Sequence, residues 1–336
     1  MTEWWIAPLV ILASFLMTEG LRRYALAKSI IDVPNARSSH VVPTPRGGGV
    51  AIVVSFLLAL MALGVMGLLA LPLVIGLAGS GGLIAIIGFM DDHGHIAARW
   101  RLLGHFIAAG WGLFWLSGLP PVVLLGIEVD LGWGGAIFAA LYLVWLLNLY
   151  NFMDGIDGIA SVEAISVCLG ACLLYWISGF EQLMVLPMIL IMSVSGFLYW
   201  NFPPAKIFMG DAGSGFLGIV LGLLSLQAAW ASSQLFWCWL ILLGVFVVDA
   251  TFTLIRRLVR GERVYEAHRS HGYQFASRRA GGHLPVTLAV LFLNLCWLLP
   301  VAVFVVLLDL DGFIGLLVAY LPLVCLAVAC NAGGLE

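Results

Sequence analysis

Charge is what this chain has least of. Asp, Glu, Lys and Arg make up 10% of its 336 residues, and 62% are hydrophobic. Soluble proteins carry roughly 25% charged residues, so an ordinary soluble enzyme is excluded. Cysteine is sparse as well. The six (Cys168, Cys172, Cys238, Cys296, Cys325, Cys330) sit inside apolar runs without metal-type spacing, which points to packing rather than ligation or disulfides. No basic stretch precedes the first apolar run: Glu3 comes first and Arg22-Arg23 follow. It reads as a retained helix starting outside, not a cleaved signal peptide. No internal repeat or soluble segment is visible, so residues 1–336 read as one integral-membrane domain.

Basic residues are missing from every second loop. A bilayer core takes about 20 apolar residues per helix, and eleven stretches qualify, roughly 4–21, 49–69, 71–90, 102–118, 135–150, 158–178, 183–200, 212–230, 234–256, 284–308 and 311–331. The expected fold is an all-α polytopic bundle of about ten to eleven transmembrane helices. All fifteen Lys and Arg fall in alternate loops or at their edges; the intervening loops hold Glu128, Asp130, Glu181, Asp309 and Asp311 but no base. The positive-inside rule makes the basic side cytoplasmic, with the N-terminus outside.

What polarity exists is concentrated. In Asn148-Leu-Tyr-Asn-Phe-Met-Asp-Gly-Ile-Asp-Gly158, four polar side chains stand where one apolar run ends and the next begins. Such groups beside hydrocarbon usually have a task. A helix continuing to Asp154 would put Asn148, Asn151 and Asp154 in one stripe, and the Asp-Gly pairs would turn Asp157 back over it. Asp91-Asp92 end an apolar run in which Gly76, Gly79, Gly81, Gly82 and Gly88 read as close-packing positions. Adjacent acids at a helix C-terminus oppose its dipole, which suggests a pair positioning a divalent metal or a phosphate. His93 and His95 follow as weaker ligand candidates.

The remaining signals lie on the same side. Pro43-Thr-Pro-Arg46-Gly-Gly-Gly49 opens a helix, where free N–H groups and Arg46 suit a phosphate, although a Gly-rich entry is also ordinary loop chemistry. Phe208-Met-Gly-Asp211 precedes another, with Asp211 placed as an N-cap and Ser214 three residues on; the same carboxylate could hold Mg²⁺. Phe208 offers either a flat face for a base or simple packing. Asp249, Glu163 and His105 are ionisable groups within spans; Asp249 lies above Arg256 and Arg257, Glu163 reads as a buried partner of another polar group, and a structural role is the default for His105. His268-Arg269-Ser-His271 in the last basic loop could bind lipid headgroups or clamp a diphosphate. The external segment 119–134 alternates like a short hairpin.

Polar motifs in five loops on one face suit Mg²⁺-assisted chemistry on a diphosphate at the membrane surface. A secondary transporter would place them at mid-bilayer on broken, repeated helices, so transport, or lipid-phosphate binding without transfer, is the alternative. Together the motifs resemble those of the polyprenyl-phosphate N-acetylhexosamine-1-phosphate transferases, glycosyltransferase family 4 of the MraY/WecA superfamily, in order and spacing over most of the chain. The resemblance implies transfer of a sugar-1-phosphate from a UDP-N-acetylhexosamine to undecaprenyl phosphate, with UMP released, on the cytoplasmic face of a bacterial inner membrane. It implies Mg²⁺, with Mn²⁺ as the alternative, and no nucleic acid; a homodimer is left open.

Carried over by position, the resemblance makes Asp211 the principal metal ligand, with Asn151 and Asp92 near the metal. Asp91, Asp92, Asp154, Asp211 and His271 become the catalytic set. Asp157 and Phe208 contact uracil, Asn151 lines the substrate site, and Arg46, His268 and Arg269 grip diphosphate and sugar. One departure stands out: His271 is followed by Gly272, Tyr273 and Gln274, where N-acetylglucosamine-transferring members carry further histidines. That pattern is more like the O-antigen-initiating branch and leaves the sugar open.

Overall fold

The computed structural model describes residues 6–34, 39–40, 42–94, 96–262 and 268–334. Arg37, His95 and Arg263 from the sequence argument lie outside them. The chain runs α1 (Ile6–Ala27), β1 (Ile31–Asp32), β2 (Thr44–Pro45), α2 (Gly49–Val65), α3 (Leu71–His93), α4 (Ala98–Trp115), β3 (Val122–Leu124) and β4 (Ile127–Val129). It continues with α5 (Gly132–Met153), α6 (Ile159–Ile177), α7 (Val185–Asn201), α8 (Asp211–Ala231), α9 (Ser233–Leu242) and α10 (Gly244–Val259). The last helices are α11 (Gly272–Ala280), α12 (Leu284–Leu293), α13 (Leu299–Leu307) and α14 (Gly312–Ala329). A π-turn, Asn294–Leu298, joins α12 to α13.

The protein is thus an all-α polytopic membrane protein. In hydrocarbon every backbone polar group must be satisfied internally, which favours helices over open strands. Each of the eleven expected spans is helical. Among the described residues, seven helical spans are long and apolar enough to cross a membrane, and α9 with α10 makes an eighth if counted as one. That pair departs from the straight span expected at 234–256: it bends by 68° at Leu243. Of the rest, α2 is apolar but only 17 residues long. Charge enters α1 at Glu19, Arg22 and Arg23, and α4 at Arg99 and Arg101. The external hairpin forms as β3–β4. A two-residue ladder, Ile31–Asp32 against Thr44–Pro45, folds the first basic loop and has no cue in the sequence.

The core is organised on α8, buried along almost its whole length. Small residues let neighbours approach its backbone. A Cβ on Gly213 would lie 2.6 Å from the Gly49 Cα of α2, and one on Gly218 2.5 Å from the Leu147 Cα of α5. A Cβ on Gly88 of α3 would meet the Ala212 nitrogen at 2.5 Å. This contact brings the end of α3, with its two acids, against the start of α8. Glu163 has the buried partner expected of it: Asn294 Nδ2 donates to its carboxylate at 2.6 Å and to Ser166 Oγ at 2.8 Å.

The α3–α8 contact makes a contrast testable within one helix. Gly88→Ala forces a methyl against backbone that cannot rotate away, at a cost of about 1–3 kcal/mol. Gly82→Ala faces open space and gains helix propensity. Melting of the detergent-solubilised protein should fall for the first and hold or rise for the second; equal melting temperatures would sink the close-approach argument.

Candidate active site

Two cavities open at the basic end of the bundle and share a wall. The first, about 210 Å³, takes Arg46, Asn151, Asp154, Asp157, Phe208 and Asp211 into its lining. The second, about 250 Å³, is bordered by Asp91, Asn151, Asp211, His268 and His271. Ile84, Ile87 and Leu147 give it apolar lining as well. Asn151 and Asp211 line both.

The α5 end supplies the ruler between them. The helix stops at Met153 and Asp154 is its C-cap, one residue short of the run that would carry the full stripe. Even so, Asn148 borders the second cavity, Asn151 both, and Asp154 the first. Asn148 Nδ2 donates to Val144 O at 2.7 Å and lies 3.4 Å from His105 Nδ1. Beyond the helix, Gly158 adopts φ +74°, a conformation glycine takes without penalty, and its N–H donates to Asn201 Oδ1 at 3.0 Å. Asp157 Oδ2 accepts from Ala205 N–H at 3.0 Å.

The paired acids are used differently. Asp91 accepts from Ile96 N–H at 2.8 Å and pairs with Arg101. Arg101 also stands 3.7 Å from Asp211. Asp92 pairs with Arg46 and accepts from the Asp211 and Ala212 amides at 3.2 and 3.4 Å. Its carboxylate therefore caps α8, the place expected for Asp211. The N-cap is Gly210, at φ +78°, and Asp211 is the first helical residue, its own side chain making no cap bond. Asp92 is 2% exposed and stands behind the cavity wall, whereas Asp211 is 28% exposed. His93 bonds Phe89 O within its own helix.

The first basic loop is stitched to the Phe208 segment. Phe208 N–H donates to Pro45 O, Gly48 N–H to Phe208 O and Gly49 N–H to Met209 O, all at 2.8–2.9 Å. The His40 ring stands edge-on to Phe208 at 4.8 Å. Burial of Asp154, aided by the charges of Asp211, Asp92 and Asp157, pushes its carboxyl well above the usual range.

On the opposite side, His271 is buried and opens α11 with a capping box to Gln274. Asp249 does not pair with Arg256 or Arg257. It accepts from Gly272 and Tyr273 N–H, each at 2.8 Å, and lies 3.5 Å from His271 Nδ1. Arg257 pairs instead with Glu262, and Arg256 bonds Ala332 O. Tyr273 donates its hydroxyl to Phe152 O at 2.9 Å, locking this loop onto the α5 end. His268 stacks on His271 at 4.8 Å. Burial, then the nearby His271 and Arg257, lower its pKa to about 3. Arg269 lies between the two histidines, and its carbonyl accepts from Arg278.

The sequence argument gave no site role to Arg101, Asn201 or His283. Asn201 had one usable signal, an amide at a helix end before Pro203-Pro204. Arg101 and His283 are an ordinary loop base and a lone histidine until the fold sets them beside Asp91 and Asp157.

Among the described residues no three His, Cys, Asp or Glu side chains converge as a preformed metal centre. Mg²⁺ does not require one, since it is usually bound by one or two carboxylates with water and substrate phosphates completing its shell. The half-open Asp211 carboxylate and Asn151, at the junction of the cavities, fit that pattern. Arg46 Nε is buried without a hydrogen-bond partner, a donor that a phosphate oxygen would satisfy.

Comparison with known proteins agrees with this geometry. Residues 73–229 match the model of glycosyl transferase family 4. A probable undecaprenyl-phosphate N-acetylglucosaminyl 1-phosphate transferase of Bacillus subtilis is 31% identical over 269 residues, 78% of this chain and 73% of its own. The undecaprenyl-phosphate α-N-acetylglucosaminyl 1-phosphate transferase of Thermotoga maritima is 28% identical over 80% of each chain. A phospho-N-acetylmuramoyl-pentapeptide-transferase of Pelotomaculum thermopropionicum is 29% identical over 80% of this chain and 88% of its own. Sequence, cavities and relatives agree: the chain belongs to glycosyl transferase family 4, the polyprenyl-phosphate sugar-1-phosphate transferases.

Proposed function

We propose that the protein transfers an N-acetylhexosamine-1-phosphate from a UDP-sugar to undecaprenyl phosphate, releasing UMP and initiating a lipid-linked cell-surface polysaccharide such as O-antigen. The observation that carries this reading is the meeting of two unlike cavities at Asp211 and Asn151. The polar one, with Phe208 and Asp157, suits a nucleoside diphosphate. The other, lined by Arg101 together with Ile84, Ile87 and Leu147, suits a phosphate on a prenyl chain. The basic loops orient this face to the cytoplasm of the inner membrane and the N-terminus outside.

Asp211, with Asn151 beside it, would hold Mg²⁺, which when bound neutralises the diphosphate. Phe208 stacks the base and Asp157 accepts from its N–H, while Arg46 takes diphosphate oxygens. Arg101, held in place by Asp91 and 3.7 Å from Asp211, steadies the lipid phosphate. A lipid phosphate oxygen forms a bond to the β-phosphorus. The bond from that phosphorus to the α,β-bridging oxygen breaks, and UMP leaves with the electron pair. A phosphomonoester has a second pKa of about 6, so near pH 7 the nucleophile is mostly dianionic and needs no general base. Asp91, committed to Arg101 and the Ile96 amide, is a positioning group on this reading.

Purified protein with Mg²⁺, undecaprenyl phosphate and a panel of UDP-N-acetylhexosamines should release UMP with at least one sugar; none with any sugar would overturn the reading. Asp211→Asn should cut turnover by roughly 100-fold or more, the scale of losing a principal charge stabiliser. Asp249→Asn, which weakens the tether of His271 without touching substrate, should cost about tenfold, and a larger loss than at Asp211 would reverse the two roles. With its pKa lowered to about 3, His268 stays neutral from pH 5 to 8. His268→Gln should therefore lower the turnover–pH curve over that range without changing its shape.

A further inference from the structure

His283 stands immediately before α12, partly buried, at the base-reading end of the first cavity. Its Nδ1 is 3.0 Å from Asp157 Oδ1 and its Nε2 is 3.1 Å from Ser39 O. One helical turn on, Thr287 Oγ1 donates to the Asp157 carbonyl at 2.9 Å. The start of α12 therefore holds both the side chain and the backbone of Asp157. Through Ser39 it also holds the residue next to His40, whose ring meets Phe208.

We propose that His283 is a positioning residue for nucleotide recognition, clamping the Asp157 carboxylate and tying Ser39 to the rim of the same cavity. The proposal rests on the reading of Asp157 and Phe208 as the base site. Both ring nitrogens face oxygen acceptors, and an imidazole donates to two acceptors only as the cation. The neutral Nε2–H form keeps the bond to Ser39 O. Its Nδ1 then becomes an acceptor, for which Asp157 N–H is available at 3.3 Å, and the carboxylate is released. The bond to Asp157 raises the pKa of His283 above its ordinary value against the opposing effect of burial. The carboxylate clamp is therefore fully present below about pH 6.5 and fades as pH rises through the raised value. Asp32, His40, Arg46, Asp154 and Asp211 also face this cavity, so the informative quantity is the ratio of variant to wild type at each pH.

The test is UMP binding by calorimetry to the full chain in nanodiscs. His283→Phe should weaken UMP roughly tenfold at pH 6, the scale of one charge-assisted hydrogen bond. The ratio should shrink toward unity at pH 9, where wild type has lost its own clamp. His283→Gln, which donates at every pH, should lose less and show no such convergence. A ratio constant with pH, or UMP affinity unchanged in His283→Phe, would overturn the clamp. Should His283→Phe fail to fold, a Gln variant that tracks wild type across the whole pH range would overturn it equally. Asp157→Asn and Phe208→Ala separate the two layers. If both bind UMP as wild type does, the base site itself is misassigned; if both weaken while His283→Phe does not, only the clamp fails.

Discussion

Asp92 at the first turn of α8 is the contact on which the rest of the site depends. An acid at the C-terminus of α3 is badly placed for its own helix. Here that cost is offset by a neighbour, because α8 presents free N–H groups and the positive end of its dipole at the same point. Asp92 accepts from two of those amides while Arg46 pairs with it from the first loop. One carboxylate thereby joins the end of α3, the start of α8 and the entry to α2. The first amides of α8, where Asp211 was expected as the cap, are taken by Asp92, and Asp211 is left half-open beside them.

The electrostatic balance of the site follows from that junction. Asp91, Asp92, Asp154, Asp157 and Asp211 crowd one end of the bundle, and the full cations among them are Arg46 and Arg101. Charges a few ångströms apart in a poorly hydrated site repel strongly, and burial first, then that repulsion, raises the pKa of Asp154. Even with Asp154 protonated, four acids against two arginines leave an excess of negative charge. Alone, such a site would repel a diphosphate, and a divalent cation would relieve that repulsion. The acid excess and the Mg²⁺ requirement proposed for the reaction are thus one argument.

Much of this was legible from sequence, for identifiable reasons. Hydropathy located the helical spans because lipid leaves few alternatives to a helix. The polar motifs stood out because such side chains are costly beside hydrocarbon, and the glycines of α3 signalled close approach, which Gly76, Gly79, Gly81 and Gly88 make and Gly82, facing open space, does not. What sequence could not carry was partnership. Asp92 and Asp211 both looked like metal or phosphate groups until the backbone of α8 showed one of them capping the other's helix. For Asp249, a site role and a pair with an arginine a turn or two below it were equally open; beyond the 68° break at Leu243 its carboxylate meets the start of α11 instead. His283 has no periodicity, motif or charge pattern to mark it.

The end of α5 explains why a single polar window can serve both substrates. Steps of three residues along a helix end carry Asn148, Asn151 and Asp154 from the second cavity, through the shared wall, into the first. On the proposed reaction, the order along the chain is the order from acceptor to donor. Such a ruler is useful only if its tip is held. Tyr273 bonds the Phe152 carbonyl, Asn201 the Gly158 amide, and Thr287 the Asp157 carbonyl. Three later segments thus fix the turn at successive points. Reacting atoms must be held to within a fraction of an ångström for in-line transfer, and a glycine-rich turn left to itself would not do so. The rigidity that the Asp-Gly pairs give up locally is supplied by α7, α11 and α12 from outside.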